Sequence, residues 1–512
     1  MPLLTEVKNH MPENIIQTPK SERVPRREKI FYGLGDMSSN IIIAAISIYY
    51  LYFMVTIGGV PAGMAALVFL VTKIGDAVTD YFMGIISDRT KSRWGKRRVY
   101  MLFGAIPYGL FFFVIWLVPF PAGSIWLNFF YYTLVYNLFC TIWTVVYVPY
   151  TALTANMTKD YDERSSITGY RIVLANIGLI LGAGLFGFLA GKDNMIYTAL
   201  INAGQTADNA VKNSFVLSAL IFGVLAGVIM LISALGTKER YDDGNEHRYR
   251  LRQTLKELFK LKEFRNTMMY YLLSMVGFDI MMAVFVWFIE QSIGISTGIS
   301  SIFIGLPLVV GIGSAAFWVK QSAKKEKHTV YRNAVIMISF SLLLCLIVPD
   351  VHGKMGILPF VLTGNTQLIA ALLLGFAILF VGFAMSAIQI LPWASIPDVI
   401  EVDEYTNGHR REGAYYGIVS FMYKMASGFS IFFVGVILQL FGYQESYGAQ
   451  VVVQPESALL AVRLTISIIP ALIFIASVFY GYRANMGRAT FERIKKELDI
   501  RHQAAANAGT VK

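Results

Sequence analysis

From Val99 to Thr158 the chain carries no Asp, Glu, Lys or Arg. A run of that length cannot be hidden inside a water-soluble domain, whereas about 20 apolar residues cross the hydrocarbon of a bilayer as a single helix. The turn Pro119-Phe120-Pro121-Ala122-Gly123 divides the run into two such helices. Ile172 to Gly191 and Asn213 to Thr237 are single uncharged spans of the same kind. With 55% hydrophobic and only 15% charged residues over 512 positions, most of the chain belongs in a membrane.

When a few internal charges are allowed, twelve spans are expected, centred near residues 45, 74, 109, 138, 182, 225, 279, 308, 341, 381, 428 and 472. Gly58, Gly59 and Pro61 break the first pair. Pro349, Asp350 and Gly353 open a polar outer loop reaching to about Gln367, and a second outer loop runs from about Lys192 to Lys212. The expected class is an all-α membrane protein with twelve transmembrane helices in two six-helix halves. The boundaries read as a leader 1–30, an N-terminal half 31–237, a middle loop 238–265, a C-terminal half 266–485 and a tail 486–512.

Lys and Arg set the expected orientation. They gather in the leader (Lys20, Arg23, Arg26, Arg27, Lys29), the connection between spans two and three, the middle loop and the tail, while the alternate loops carry almost none. Both termini are therefore expected in the cytoplasm, and the protein in the plasma or inner membrane. The same placement accounts for the formal charge of +11 without a nucleic-acid partner. The leader is too polar for a signal peptide. In the middle loop Leu251, Leu255, Leu258, Phe259 and Leu261 recur at helical spacing opposite Lys256 and Lys260, the pattern of an interfacial helix.

Inside span two, Asp76 and Asp80 lie four residues apart with Lys73 one turn before, which puts three ionisable groups on one helical stripe. Lipid penalises such a stripe unless it faces a cavity or partners, so it is the first candidate for the working centre. Structural ion pairing of Lys73, or of Lys424 in span eleven, with these acids is the plain alternative. Cys140 and Cys345 lie in apolar runs, and all six histidines fall outside the spans. Neither a structural metal nor a cofactor is expected, and no nucleophile–base pairing suggests an enzyme. Asp279 in span seven finds no assignment, and Arg463 near the outer end of span twelve reads as a snorkelling residue.

Two six-helix halves joined by a polar loop is the plan of the major facilitator fold, with a central site that alternates between the two sides. Gly84-x-x-Ser87-Asp88-Arg89 followed by Gly95-Lys96-Arg97-Arg98 resembles that superfamily's loop motif stretched by an insertion. The stretched form, with Asp76-Ala-Val-Thr-Asp80-x-x-Met-Gly84, is similar to the glycoside-pentoside-hexuronide cation symporter family. Tyr32-Gly-Leu-Gly-Asp36, Val148-Pro149-Tyr150, Leu391-Pro-Trp393, Pro397-Asp398 and Arg411-Glu412-Gly413 agree with it, over about residues 30 to 485.

The resemblance implies a cation-coupled symporter that needs a coupling cation, Na⁺ or H⁺, and no other cofactor. By comparison with its melibiose-permease-like members, Asp76 and Asp80 would bind the cation, with Thr79 and Thr144 at the positions of an Asn and a Thr ligand. Asn40 and Tyr147 stand where those members have acids that hold sugar, Arg171 matches an arginine of the sugar site, Gln389 aligns near a tryptophan, and Lys424 matches a lysine near the cation. Lys73, Trp393 and these residues form the expected substrate set, and Arg171 would also suit an anionic sugar such as a uronide. A gate is expected between Asp88, Arg89, Arg93 and Arg97 on one side and Asp398, Glu401 and Glu404 on the other, with Asp398 paired to Arg93 or Arg97. The expected partners are a small sugar, the cation and the bilayer, with the chain a monomer. A carrier of amphipathic lipids on the same fold, or a membrane sugar sensor that moves nothing, are the alternatives.

Overall fold

The computed structural model describes residues 23–121, 123–158, 161–192, 194–241, 258–295, 297–350, 354, 356, 366–407, 412–445, 453–484, 487, 491–494, 496–498 and 500–501. Regular structure among them is almost wholly helical. We number the long helices α1 (Arg26–Thr56), α2 (Ala62–Arg89), α3 (Arg98–Val114), α4 (Ile125–Met157), α5 (Tyr161–Ile180, continued by Leu181–Leu185 and Phe186–Ala190) and α6 (Ala207–Gly236). After the middle connection come α7 (Lys262–Ile293), α8 (Thr297–Lys324), α9 (Lys327–Leu344), α10 (Thr366–Trp393), α11 (Glu412–Leu440) and α12 (Glu456–Ile466 with Ile468–Ala484). Ten of the helices are long and apolar enough to cross a membrane, and the shorter α3 and α9 fill the remaining two places. Each of the twelve expected centres falls within one of these helices.

Several features are not legible in the apolar pattern. A short helix, Met195–Asn202, sits in the loop after α5, its first turn capped by Asn194, whose Oδ1 accepts from Tyr197 N at 3.0 Å. Wide π turns interrupt α1 at Ile46–Tyr50 and α5 at Leu181–Leu185. There the Tyr49 hydroxyl donates to the Ala183 carbonyl at 2.5 Å, so one helix satisfies an acceptor in the other's widened turn. A third π turn, Phe288–Ile293, ends α7 against Gly294 at φ +87°. Arg463, buried and not snorkelling, holds this end: it donates to the Ser292, Cys345 and Val348 carbonyls and so staples α7, α9 and α12. Helix ends leave carbonyls unpaired, and a guanidinium with five N–H groups serves several of them at once.

Close backbone crossing sets α3 against α6. A Cβ on Gly109 would lie 2.3 Å from the Gly223 carbonyl oxygen, so only glycine fits. Gly84, the glycine of the motif after α2, has no such role: among the described residues a Cβ there would meet nothing within 4 Å.

Between α2 and α3, Gly95 adopts φ +103° and turns the chain so that the N–H groups of Lys96, Arg97 and Arg98 all point at Glu239, at 2.7–2.9 Å. A carboxylate at a helix N-terminus is favoured by the unpaired N–H groups and by the helix dipole. The start of the middle connection is thereby held on the N-terminal half. Arg240 adds a two-pronged pair with Glu28 at 2.6 and 2.8 Å, and this hydrogen bonding raises the pKa of its guanidinium. The middle-loop helix expected over Leu251–Leu261 lies mostly outside the described residues.

The two halves meet at the end away from the start of α1 and the end of α12. Tyr52 of α1 packs on Trp287 of α7 with ring centroids 5.9 Å apart, and Trp287 on Tyr443 at 6.0 Å. Gly63 N at the start of α2 donates to Gln439 Oε1 of α11 at 3.0 Å.

Candidate functional site: a charged cluster on a central cavity

Helix α2 packs along both α4 and α11, and the three meet near the middle of α2. Asp76 and Asp80 project here one turn apart. The hydroxyl of Thr144 on α4 lies 2.8 Å from an oxygen of each. Lys424, reaching across from α11 in the other half, pairs with Asp76 Oδ2 at 2.8 Å and with Asp80 Oδ2. Its ammonium also stands over the Trp143 ring, 5.5 Å from the centroid. One turn outward along α2, Asn137 of α4 donates to the Thr72 hydroxyl at 3.0 Å and fixes the register of the two helices.

A hydroxyl has one hydrogen to donate. Thr144 can therefore serve only one of the two carboxylates at a time, and the other oxygen at 2.8 Å faces a lone pair unless it carries a proton or a cation lies between them. Two acids, a hydroxyl and a competing ammonium make a site suited to exchanging small cations.

The cluster lies on the wall of a cavity of about 1310 Å³ between the halves. From there the cavity is lined further along by Val78 and Phe82 of α2, Thr151 of α4 and Ile418 and Phe421 of α11, toward the end where α1 starts. The far end is closed by the Tyr52–Trp287 and Gly63–Gln439 contacts. Apart from the charged groups the wall is largely apolar, including Ile42, Phe69, Phe139, Met282 and Leu308.

Of the expected cation ligands, Asp76, Asp80 and Thr144 come together, whereas Thr79 turns its hydroxyl onto the Asp76 carbonyl of its own helix at 3.1 Å and does not line the cavity. Among the expected substrate residues, Lys73, Tyr147 and Lys424 line the cavity, with Tyr147 stacked on Trp143 at 4.6 Å. Asn40, Arg171, Gln389 and Trp393 do not. Arg171 is bound to Asp36 at 2.6 Å and lies over the Tyr32 and Tyr150 rings. The Asn40 amide donates to the Asp36 carbonyl. Trp393 sits at the end of α10 against Tyr271 and Tyr416.

The gate residues also sort differently from expectation. Asp398 pairs with Lys327 at the start of α9, at 2.6 Å, and not with Arg93 or Arg97. Lys327 belongs to the same half, while the connection carrying Arg93 and Arg97 is held on the other half. Arg97 donates to the Ala152 carbonyl, Arg93 lies over Trp94, and Arg89 is exposed. Glu404 is buried and Glu401 partly so. The side chain of Asp88 lies outside the described residues.

Asp279, unassigned by sequence reasoning, lines the same cavity. Tyr423 donates to its Oδ1 at 3.3 Å, and Oδ2 accepts no hydrogen bond among the described residues.

Two helical halves around a charged central cavity have the plan of a membrane transporter. Residues 31–488 match the family described as MFS/sugar transport protein, and the chain belongs to that family. The family consists of transporters and not enzymes. The inner membrane symporter YicJ of Escherichia coli is 26% identical, covering 91% of this chain and 92% of its own. The sodium-dependent lysophosphatidylcholine symporter 1 of Xenopus tropicalis is 23% identical over 92% of this chain and 89% of its own. Among solved structures, a bacterial homolog of the human lysosomal transporter Spinster, in an inward-facing and occupied conformation, aligns with a TM-score of 0.60 at 11% identity, covering 90% of this chain and 95% of that one. The fold is that of the major facilitator superfamily, and the protein is a multi-pass, cation-coupled transporter of a small molecule.

Proposed function

We propose that the protein couples inward movement of Na⁺ or H⁺ to uptake of a glycoside, pentoside or hexuronide. The observation that carries this reading is the contact of Lys424 with both Asp76 and Asp80, because it joins the halves through the very groups a cation would bind. Lys424 acts as a tethered counter-ion. A cation or proton arriving at the two carboxylates weakens their hold on the ammonium, which frees it toward the cavity and relaxes a bond between the halves. Substrate entering beside Lys424 is thereby sensitive to the cation, and linkage requires that substrate raise cation affinity by the same factor.

The family description supports a sugar. A second reading, an amphipathic lipid as substrate, is favoured by the largely apolar wall and by similarity to the lysophosphatidylcholine symporter. Uptake into proteoliposomes separates them. A panel of labelled pentosides, galactosides, uronides and lysophosphatidylcholine is offered under an imposed Na⁺ or H⁺ gradient. Accumulation of a sugar, abolished in Asp76→Asn and Asp80→Asn, is the expected result and names the ion. Lysophosphatidylcholine uptake with no sugar uptake would replace the first reading by the second. Binding of a sugar with neither accumulation nor counterflow would make the protein a sensor.

A further inference from the structure

Lys73 and Asp279 face one cavity from opposite halves, Lys73 on α2 and Asp279 on α7. Neither forms an ion pair among the described residues. Lys73 packs its stem on Gly428 and is near enough to Asp279 for their charges to interact, but it makes no hydrogen bond to it. Asp279 has the Tyr423 hydroxyl at 3.3 Å, Ser427 beside it, and one oxygen without a donor. On the same wall Trp143 Nε1 is a donor without an acceptor. A buried carboxylate or indole N–H left unpaired keeps the full desolvation cost of the group, larger when it is charged. An ionisable group inside a membrane protein is rarely kept at that cost without a use.

Lys73 and Asp279 differ from the coupling cluster, whose carboxylates, hydroxyl and ammonium contact one another. They are also distinct from Asn40, Arg171, Gln389 and Trp393, none of which lines the cavity. A ligand that matches this wall donates to Asp279 and accepts from Lys73. A sugar does both, since each hydroxyl is a donor and an acceptor, and Trp143 with the stacked Tyr147 offers an aromatic surface beside it.

Resting on the sugar reading above, we infer that Asp279 is a substrate-binding residue that accepts a hydrogen bond from a sugar hydroxyl, with Lys73 holding the same sugar from the other half. Rotation about the terminal torsion of Asp279, which is soft, turns its free oxygen toward the cavity. The sugar then bridges the halves at a level different from the Lys424 contact. Binding supplies across the cavity a polar link that the protein alone does not make, which favours closure around the load and links recognition to transport.

The test is a cycle between protein and substrate in proteoliposomes. Counterflow of the best sugar from the panel, and of its series of single deoxy analogues, is measured for wild type, Asp279→Asn and Asp279→Leu, together with the cation concentration that gives half-maximal uptake. The expected result is that one deoxy analogue has a KM at least tenfold above its parent in wild type, that Asp279→Leu raises the parent's KM by a similar factor, and that the two losses do not add. Asp279→Asn, which keeps an acceptor of the same shape, should fall between. The cation requirement should stay within twofold of wild type in both variants. Parent KM values within twofold of wild type in Asp279→Asn and Asp279→Leu would overturn the assignment while leaving the sugar reading intact. A changed cation requirement with an unchanged KM would move Asp279 to the coupling site and overturn it too. If inserted wild type carries no sugar, the sugar reading itself fails, and this assignment with it.

Discussion

Thr144 makes the two acids of the centre unequal, because its single hydrogen can face only one of them. Thr144→Val removes the hydroxyl and keeps the shape. We expect the cation concentration for half-maximal uptake to rise about tenfold, the size of one lost hydrogen bond to a charged group. Thr144→Ser should restore most of it, and an unchanged requirement in the valine variant would show that the hydroxyl is not a ligand. At this scale the sequence is informative where chemistry is local. The spacing of Asp76 and Asp80 alone puts them on one stripe. Thr144 and Lys424 lie 68 and 348 residues from Asp76 and are reachable only through resemblance to a known family. Arg171 and Asn40 contact the carboxylate and the carbonyl of Asp36, and nothing in the local pattern reveals that.

Among elements, pairings between distant segments depend on which half each segment belongs to. Lys327 holds Asp398 where α9 begins beside the end of α10. Lys327→Asp and Asp398→Lys should each lower transport several-fold, and the double swap should regain more than half. A double variant as poor as either single one would dismiss the pair. The α3–α6 crossing answers to a different term. Gly109→Val would force a side chain against the Gly223 backbone, and overpacking of this kind costs about 1–3 kcal/mol. A lower melting temperature in detergent is the expected reading, with Gly84→Ala near wild type as the comparison. Apolar runs locate the helices because burial in lipid is written in composition. The π turns and the Arg463 staple escape such a reading because they depend on which carbonyls a neighbouring helix leaves unpaired.

For the whole molecule, the contact that shuts the far end offers a direct handle. A Cβ built on Gly63 would stand 4.0 Å from that of Gln439, within the span of about 3.5–4.5 Å that a disulfide needs. The double variant Gly63→Cys, Gln439→Cys should lose transport on oxidation and recover it on reduction, while each single variant stays active under oxidation. Full activity of the oxidised, cross-linked protein would mean that this end does not open during transport. The number of spans and the division into halves are legible in the amino-acid sequence, since both follow from hydrophobic length; which end is closed is not, because that is a property of a conformation. The ion pairs at the centre carry one more consequence. Two carboxylates and a single ammonium leave the unloaded centre with one negative charge, and one bound monovalent cation brings it to zero. A membrane potential then acts on the unloaded transporter and leaves the loaded one alone, with up to about 2.3 kcal/mol per 100 mV pulling the unloaded centre toward the electrically positive face. The voltage would drive the return stroke, and exchange of load for load would proceed without electrical cost.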